Sequence, residues 1–226
     1  TSPNCNKFIS GALLFDETIR QEKNGKSIPE ILNERGVLPG IKVDKGAKQL
    51  VGGDETATEG LDGLRERLSE YYKLGARFAK WRGVYKITDE YPSKNSIVAN
   101  AHALARYAAL VQEAHMAPIV EPEVLMDGKH NIEKCYDVTS KVLEECMNQL
   151  RIAGVDFSGM VLKPNMILNG SESGIKNNKK QVAELTLKCI TNHLPKEVPG
   201  VAFLSGGQSE FEATEHLNEI NKQNKS

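Results

Sequence analysis

The sequence predicts an α/β protein built on a parallel sheet. Short apolar runs recur along the chain, each is followed by a segment with helical spacing, and the charged residues that end the runs fall at the same point of each repeat. Runs of four to eight apolar residues bounded by turn signals are how buried parallel strands read.

The predicted strands cover residues 10–15, 38–43, 76–80, 117–120, 159–162 and 200–204. A helix over 29–35 follows the first, with Ser27 as its N-cap and Gly36 beyond its end. Leu61, Leu64, Leu68 and Tyr72 recur at helical spacing before Gly75, which predicts a helix over 61–74. An alanine-rich stretch of high helix propensity predicts the next over 96–115. Helices over 132–153, 179–193 and 209–222 complete the series, and no low-complexity linker interrupts it.

Both barrels and doubly wound sheets fit this alternation, and both gather their chemistry at the carboxyl ends of strands. A Gly-x-Gly-x-x-Gly turn after the first strand is absent, since Ser10-Gly11-Ala12 stands inside that strand, and this disfavours a dinucleotide-binding fold. A closed barrel needs eight βα units, whereas six are read here.

Composition narrows the function. The 226 residues suffice for a sizeable core and read as a single domain. With 29 basic and 30 acidic side chains, bulk charge gives no reason to bind nucleic acid or a membrane surface, and no apolar run is long enough to span a bilayer. Cys5, Cys135, Cys146 and Cys189 have no CxxC or metal-ligand spacing, which predicts reduced thiols in a cytoplasmic protein. The chain opens on Thr1 without an initiator Met or a signal-like segment, as expected of a piece of a longer sequence.

Residues two apart on a strand share a face, so Lys42 with Asp44, Lys80 with Arg82, and Glu121 with Glu123 each project together. Lys163 closes the fifth apolar run and Ser205-Gly206-Gly207 follows the sixth. Taken singly, each has an ordinary explanation: a lysine at a strand end is usually solvated, Glu-Pro-Glu is often a surface turn, and Ser-Gly-Gly is often a tight loop. Their common phase in the repeat sets them apart.

Together they suit the making or breaking of a carbon–carbon bond beside a carbonyl. Lys163 would attack the ketone to form an imine, whose cationic nitrogen accepts electrons as the bond breaks. Glu121 or Glu123 would move the protons, while Lys80 would lower the proton affinity of Lys163 and hold substrate oxygens. Ser205 with the Gly206 and Gly207 amides would take a phosphate at the start of the last helix, and Lys42 with Arg82 a second anion. His102, His115, His130, His193 and His216 show no metal-ligand spacing, so neither a metal nor another cofactor is expected.

The motifs resemble those of class I fructose-bisphosphate aldolases. They are Gly40-Ile41-Lys42-Val43-Asp44-Lys45-Gly46, Phe78-Ala79-Lys80-Trp81-Arg82, Ile119-Val120-Glu121-Pro122-Glu123, Val161-Leu162-Lys163-Pro164 and Phe203-Leu204-Ser205-Gly206-Gly207-Gln208-Ser209-Glu210. They occur in the family's order, with Gly60-Leu61-Asp62-Gly63-Leu64 and Leu104-Ala105-Arg106-Tyr107-Ala108 between them. The resemblance implies a (β/α)8 TIM barrel, a homotetramer, and reversible cleavage of the sugar bisphosphate fructose 1,6-bisphosphate to dihydroxyacetone phosphate and glyceraldehyde 3-phosphate.

Carried over by position, Lys163 looks like the Schiff-base lysine, Glu121 the general acid/base and Glu123 its partner. Lys80 is similar to the lysine assisting the bond chemistry and Lys42 to a second active-site lysine, while Arg82, Ser205 and Gly206 resemble phosphate ligands. The resemblance also accounts for six units: relative to the family, residues 1–226 look truncated at both ends. They lack a first strand with a catalytic aspartate, a last strand with a phosphate-binding arginine, and a tail ending in a functional tyrosine. The isolated chain is therefore expected to be inactive. Another Schiff-base sugar-phosphate enzyme, such as a transaldolase, and a non-catalytic scaffold are the competing readings.

Overall fold

Consecutive βα units lie side by side in the computed structural model, which describes residues 4–224. The elements in chain order begin with β1 (Gly11–Leu14), α1 (Asp16–Ile19), β2 (Glu22–Lys23), β3 (Lys26–Ser27), α2 (Ile28–Glu34) and β4 (Leu38–Lys42). Next come β5 (Ala47–Gln49), β6 (Thr56–Thr58), α3 (Leu64–Lys73), β7 (Phe78–Tyr85), α4 (Lys94–Glu113) and β8 (Ala117–Val124). The chain continues through α5 (Ile132–Ile152), β9 (Val161–Leu162), α6 (Lys179–His193) and α7 (Glu210–Gln223), with 3₁₀ turns at Cys5–Lys7 and Phe157–Gly159.

The main sheet runs β1-β4-β7-β8-β9, and every pairing in it is parallel. Strand order follows chain order without reversal, which is the winding of a barrel rather than of a doubly wound sheet. A sixth position is marked by a single parallel bridge between Leu162 and Val201. The architecture agrees with an incomplete (β/α)8 barrel.

Alternation along each strand separates two faces. Ile41, Ala79, Trp81, Tyr85, Val120, Val124 and Leu162 are buried, and α4 packs on β7 and β8. Trp81 meets Tyr107 of α4 with ring centroids 5.6 Å apart. The opposite phase carries Lys42, Lys80, Arg82, Glu121 and Glu123, with Lys163 just beyond β9. Gly40 makes room on β4: a Cβ there would lie 2.3 Å from the Phe78 ring.

Helix boundaries follow local chemistry. Ser27 caps α2 in a reciprocal capping box with Glu30, and Ser209 does the same for α7 with Glu212. Gly36 and Gly75 have φ of 69° and 108°, conformations suited to chain reversal after α2 and α3.

Several expected boundaries move. The third and fourth strands were expected to stop at residues 80 and 120, yet β7 continues to Tyr85 and β8 to Val124. Lys80, Glu121 and Glu123 therefore sit inside strands, with their charges met across the sheet. The fifth strand shortens to Val161–Leu162 because Phe157–Gly159 forms a 3₁₀ turn, and the sixth, expected over 200–204, reduces to the Val201 bridge. Two hairpins are additional: β2–β3, turning at Asn24-Gly25 with φ of 56° and 74°, and β5–β6.

Among the described residues no helix is long and apolar enough to cross a membrane. All four cysteines are free thiols.

Candidate active site

Register builds the site. Lys42 of β4 is paired with Lys80 of β7, and Arg82 of β7 with Glu121 of β8. Lys163 follows β9 directly, and its amide donates to the Val120 carbonyl at 2.8 Å, which holds it beside Glu121.

Glu121, only 3% exposed, bridges two lysines. Lys163 Nζ donates to its Oε1, and Lys80 Nζ lies 2.7 Å from its Oε2, an ionic contact outside hydrogen-bond alignment. Burying a carboxylate without compensation would cost several kcal/mol, so two cations from adjoining strands are what make this position tolerable. Lys80 is itself buried, whereas a quarter of the Lys163 side chain remains open to solvent. The most exposed nitrogen chemistry of the triad thus belongs to Lys163.

Glu123, two residues on, accepts from Arg82 Nε. That hydrogen bond raises the Arg82 pKa above the usual guanidinium value, and nearly half of its side chain is exposed. Lys42 pairs instead with Asp44, at 2.6 Å to Oδ1 and 3.2 Å to the Asp44 carbonyl. The Gly46 amide donates to the same Asp44 oxygen at 3.2 Å.

The loop of Ser205, Gly206 and Gly207 follows the sixth strand position and is tied to the Lys163 segment by Leu204 N–H to Pro164 C=O at 3.3 Å. Gly206 and Gly207 have φ of 62° and 89°. Gln208 closes the loop, its side-chain amide donating to the Ser205 carbonyl at 2.7 Å and its carbonyl lying 2.5 Å from His216 Nδ1. Burial holds the His216 pKa below its ordinary value. The Ser209–Glu212 capping box engages the start of α7, and Glu210 adds a second acid to its first turn. The loop amides are thus better suited to an anion than the helix end is.

The sequence-predicted residues therefore fall into four groups: Lys80, Glu121 and Lys163 in one ion-paired cluster, Arg82 with Glu123, Lys42 with Asp44, and Ser205–Gly206–Gly207 in a separate loop. Sequence reasoning passed over the buried polar side chains that hold the frame. Thr58 donates to the Arg82 carbonyl at 2.6 Å, and its own amide donates to Asn100 Oδ1 at 3.0 Å. Tyr107 donates to the Ala79 carbonyl at 2.6 Å and also reaches Ile119 O at 3.2 Å. Asn165 joins β8 to α5. The signal was a polar residue on an otherwise apolar face, as with Asn100 among the alanines of α4.

Two cavities flank these groups. One of about 350 Å³ is lined by Asp16, Arg20, Lys42, Asp44, Lys45 and Arg67 among others, beyond β1 and β4. A larger one of about 930 Å³ lies beyond β7 and β8 and includes Lys86, Asp89, Asp127, Lys129 and His130. Among the described residues no cluster of three or more His, Cys, Asp or Glu side chains is placed to hold a metal ion.

Fold and site define an α/β protein of incomplete (β/α)8 architecture with a lysine–glutamate cluster built on β7, β8 and the residue that follows β9. A family profile described as glycolytic, fructose-bisphosphate aldolase class-I, matches residues 1–226. The chain is 50% identical to a probable fructose-bisphosphate aldolase class 1 of Xanthomonas axonopodis pv. citri, covering 98% of this chain and 67% of that protein. It is likewise 50% identical to fructose-bisphosphate aldolase 4, cytosolic, of Arabidopsis thaliana, over 98% of this chain and 57% of the relative. A structure of fructose-bisphosphate aldolase from Plasmodium falciparum, in complex with TRAP and a small-molecule inhibitor, superposes with a TM-score of 0.95 at 47% identity, covering 98% of this chain and 65% of the other. The chain belongs to the class I fructose-bisphosphate aldolase family and spans about two thirds or less of the length of these relatives.

Proposed function

We propose that the protein to which this chain belongs cleaves fructose 1,6-bisphosphate reversibly to dihydroxyacetone phosphate and glyceraldehyde 3-phosphate through an imine on Lys163, without a metal or other cofactor. The observation that supports this most directly is the Glu121 carboxylate placed between Lys163 and Lys80. Family membership supplies the substrate.

In this reading Lys163, once neutral, attacks the ketone carbon. Glu121 is within reach to take the proton from its nitrogen and return it to the departing hydroxyl, giving a protonated imine and water. The bond between the α and β carbons then breaks: Glu121, ionised again, takes the β-hydroxyl proton, that oxygen becomes the carbonyl of the departing aldehyde, and the bonding pair moves through the α carbon to the imine nitrogen. The enamine left on Lys163 regains a proton at the α carbon, and water hydrolyses the imine to release the ketone product. Lys80 remains as a fixed cation beside the developing charges. Glu123 holds Arg82 until a phosphate oxygen competes for its guanidinium. Ser205, Gly206 and Gly207 supply the second phosphate site, and Lys42 a further cation at the edge of the cluster.

We further propose that residues 1–226 form the middle of a single barrel domain which assembles as a homotetramer in the cytoplasm. Exposed Phe8, Phe15 and Leu38 near the β1 edge support a covering segment there. The test compares the full gene product with the isolated chain in a coupled cleavage assay containing a chelator. Chelator-resistant cleavage by the full product, lost on Lys163→Met and absent from the isolated chain, is expected. Cleavage abolished by the chelator, or retained by Lys163→Met, contradicts the proposal.

A further inference from the structure

We infer that Asn165 is a positioning residue that fixes Lys163 against Glu121. β9 is only two residues long, with Ile119 opposite Val161 and Val120 opposite Leu162. The main-chain bond from Lys163 N–H to Val120 C=O, at 2.8 Å, carries the pairing one residue further. Ladder bonding toward β8 then loses a donor, because Pro122 of β8, next in register to donate to the Lys163 carbonyl, lacks an N–H. β8 nevertheless continues to Val124.

The Asn165 side chain takes over at this point. Its Oδ1 accepts from the Val124 amide at 3.0 Å, and its Nδ2 donates to Thr139 Oγ1 of α5 at 3.2 Å and to the Met166 carbonyl at 3.1 Å. The residue is 5% exposed, so each of these bonds replaces one that water cannot supply, and losing one leaves a buried group unpaired. Glu121 and Glu123 lie between the Val120 and Val124 fastenings on β8, while on the other segment Lys163 makes the first fastening with its own amide and Asn165, two residues on, makes the second. Release of the second fastening frees the segment to shift, and the Lys163–Glu121 separation shifts with it.

The catalytic consequence rests on the imine-forming role proposed for Lys163, whereas the positional claim stands apart from it. Both are read in the full gene product with Asn165→Ala, with Asn165→Asp, which keeps the acceptor for Val124 but loses both donors, and with Thr139→Val. Steady-state kinetics reads the first consequence. Reductive methylation of Lys163 by formaldehyde, normalised to exposed Lys222 by mass spectrometry, reads the second without any substrate.

Asn165→Ala is expected to lower kcat about 10²-fold, the usual consequence of an ångström-scale misplacement, with KM nearly unchanged and with a severalfold change in Lys163 labelling. Asn165→Asp and Thr139→Val move both readouts the same way by less, and they decide the matter if Asn165→Ala does not fold. Folded variants that keep both the parent kcat and the parent labelling ratio overturn the inference. If the parent cleaves no sugar bisphosphate, the proposed function fails and labelling alone decides: a changed ratio upholds the positional claim, an unchanged one overturns it.

Discussion

Lys163 and Glu121 meet across two neighbouring parallel strand positions, with Lys163 Nζ donating to Glu121 Oε1 while the Lys163 amide is fastened to the carbonyl of Val120, the residue just before Glu121. Main chain and side chain therefore fix the same pair. Solvent reaches this pair from the lysine side, since Glu121 is buried.

Glu121→Gln keeps the shape of the carboxylate and removes its proton-transfer capacity. A loss of about 10²- to 10⁴-fold in kcat is expected, the range for removal of a general acid or base. Steady-state rates on the full gene product check it. A variant within about threefold of the parent, well below that range, would remove Glu121 from proton transfer.

Stability should respond unequally to the two partners. Lys80→Met leaves Glu121 with Lys163 as its remaining cation, whereas Glu121→Leu leaves buried Lys80 without its counter-charge. Removing one member of a buried pair costs about 3–5 kcal/mol, so Glu121→Leu should approach that figure and Lys80→Met should cost less. Urea unfolding of both single variants and the double variant gives the coupling energy. Strictly additive losses would mean that the two residues do not interact.

Arg82→Met is expected to raise KM about 10- to 100-fold with a smaller effect on kcat, as for the loss of a hydrogen bond to a charged group. Its pairing with Glu123 in the absence of ligand makes it available to a phosphate without an additional buried charge. An unchanged KM would move the phosphate site elsewhere.

The pH dependence of the Ser205 loop follows from His216. Burial depresses its pKa in the folded chain, so below about pH 6.5, the ordinary histidine value, the unfolded chain binds a proton that the folded one resists. The stabilisation is present above that pH and is lost as pH falls. The exchange free energy over residues 205–208, corrected for the intrinsic pH dependence of amide exchange, should therefore fall as pH drops from about 6.5 to 5, and less so in His216→Gln. An exchange free energy flat across that window would contradict the assignment.

Much of this was legible from spacing. The βα alternation, the Ser27 cap, and the common face of Lys80 with Arg82 and of Glu121 with Glu123 follow from periodicity and local chemistry alone. Strand length was not, because a lysine inside a strand reads as a terminus until its partner is known. Lys80 continues into β7 only because Glu121 arrives from β8, a pairing that spans 41 positions of sequence. The Asn24-Gly25 turn carried a readable hairpin signal, whereas β5, with Ala47, Lys48 and Gln49 all exposed, had no apolar alternation to betray it. Asn165 was invisible for a related reason: its hydrogen bonds reach Val124 and Thr139, which only the folded sheet brings near.

The most direct test of the central claim is borohydride reduction of the full gene product in the presence of dihydroxyacetone phosphate, followed by peptide mass mapping. One stable adduct is expected, on Lys163, absent without the substrate and absent in Lys163→Met. No adduct, or an adduct on Lys80, Lys42 or any other lysine with Lys163 unmodified, would contradict it.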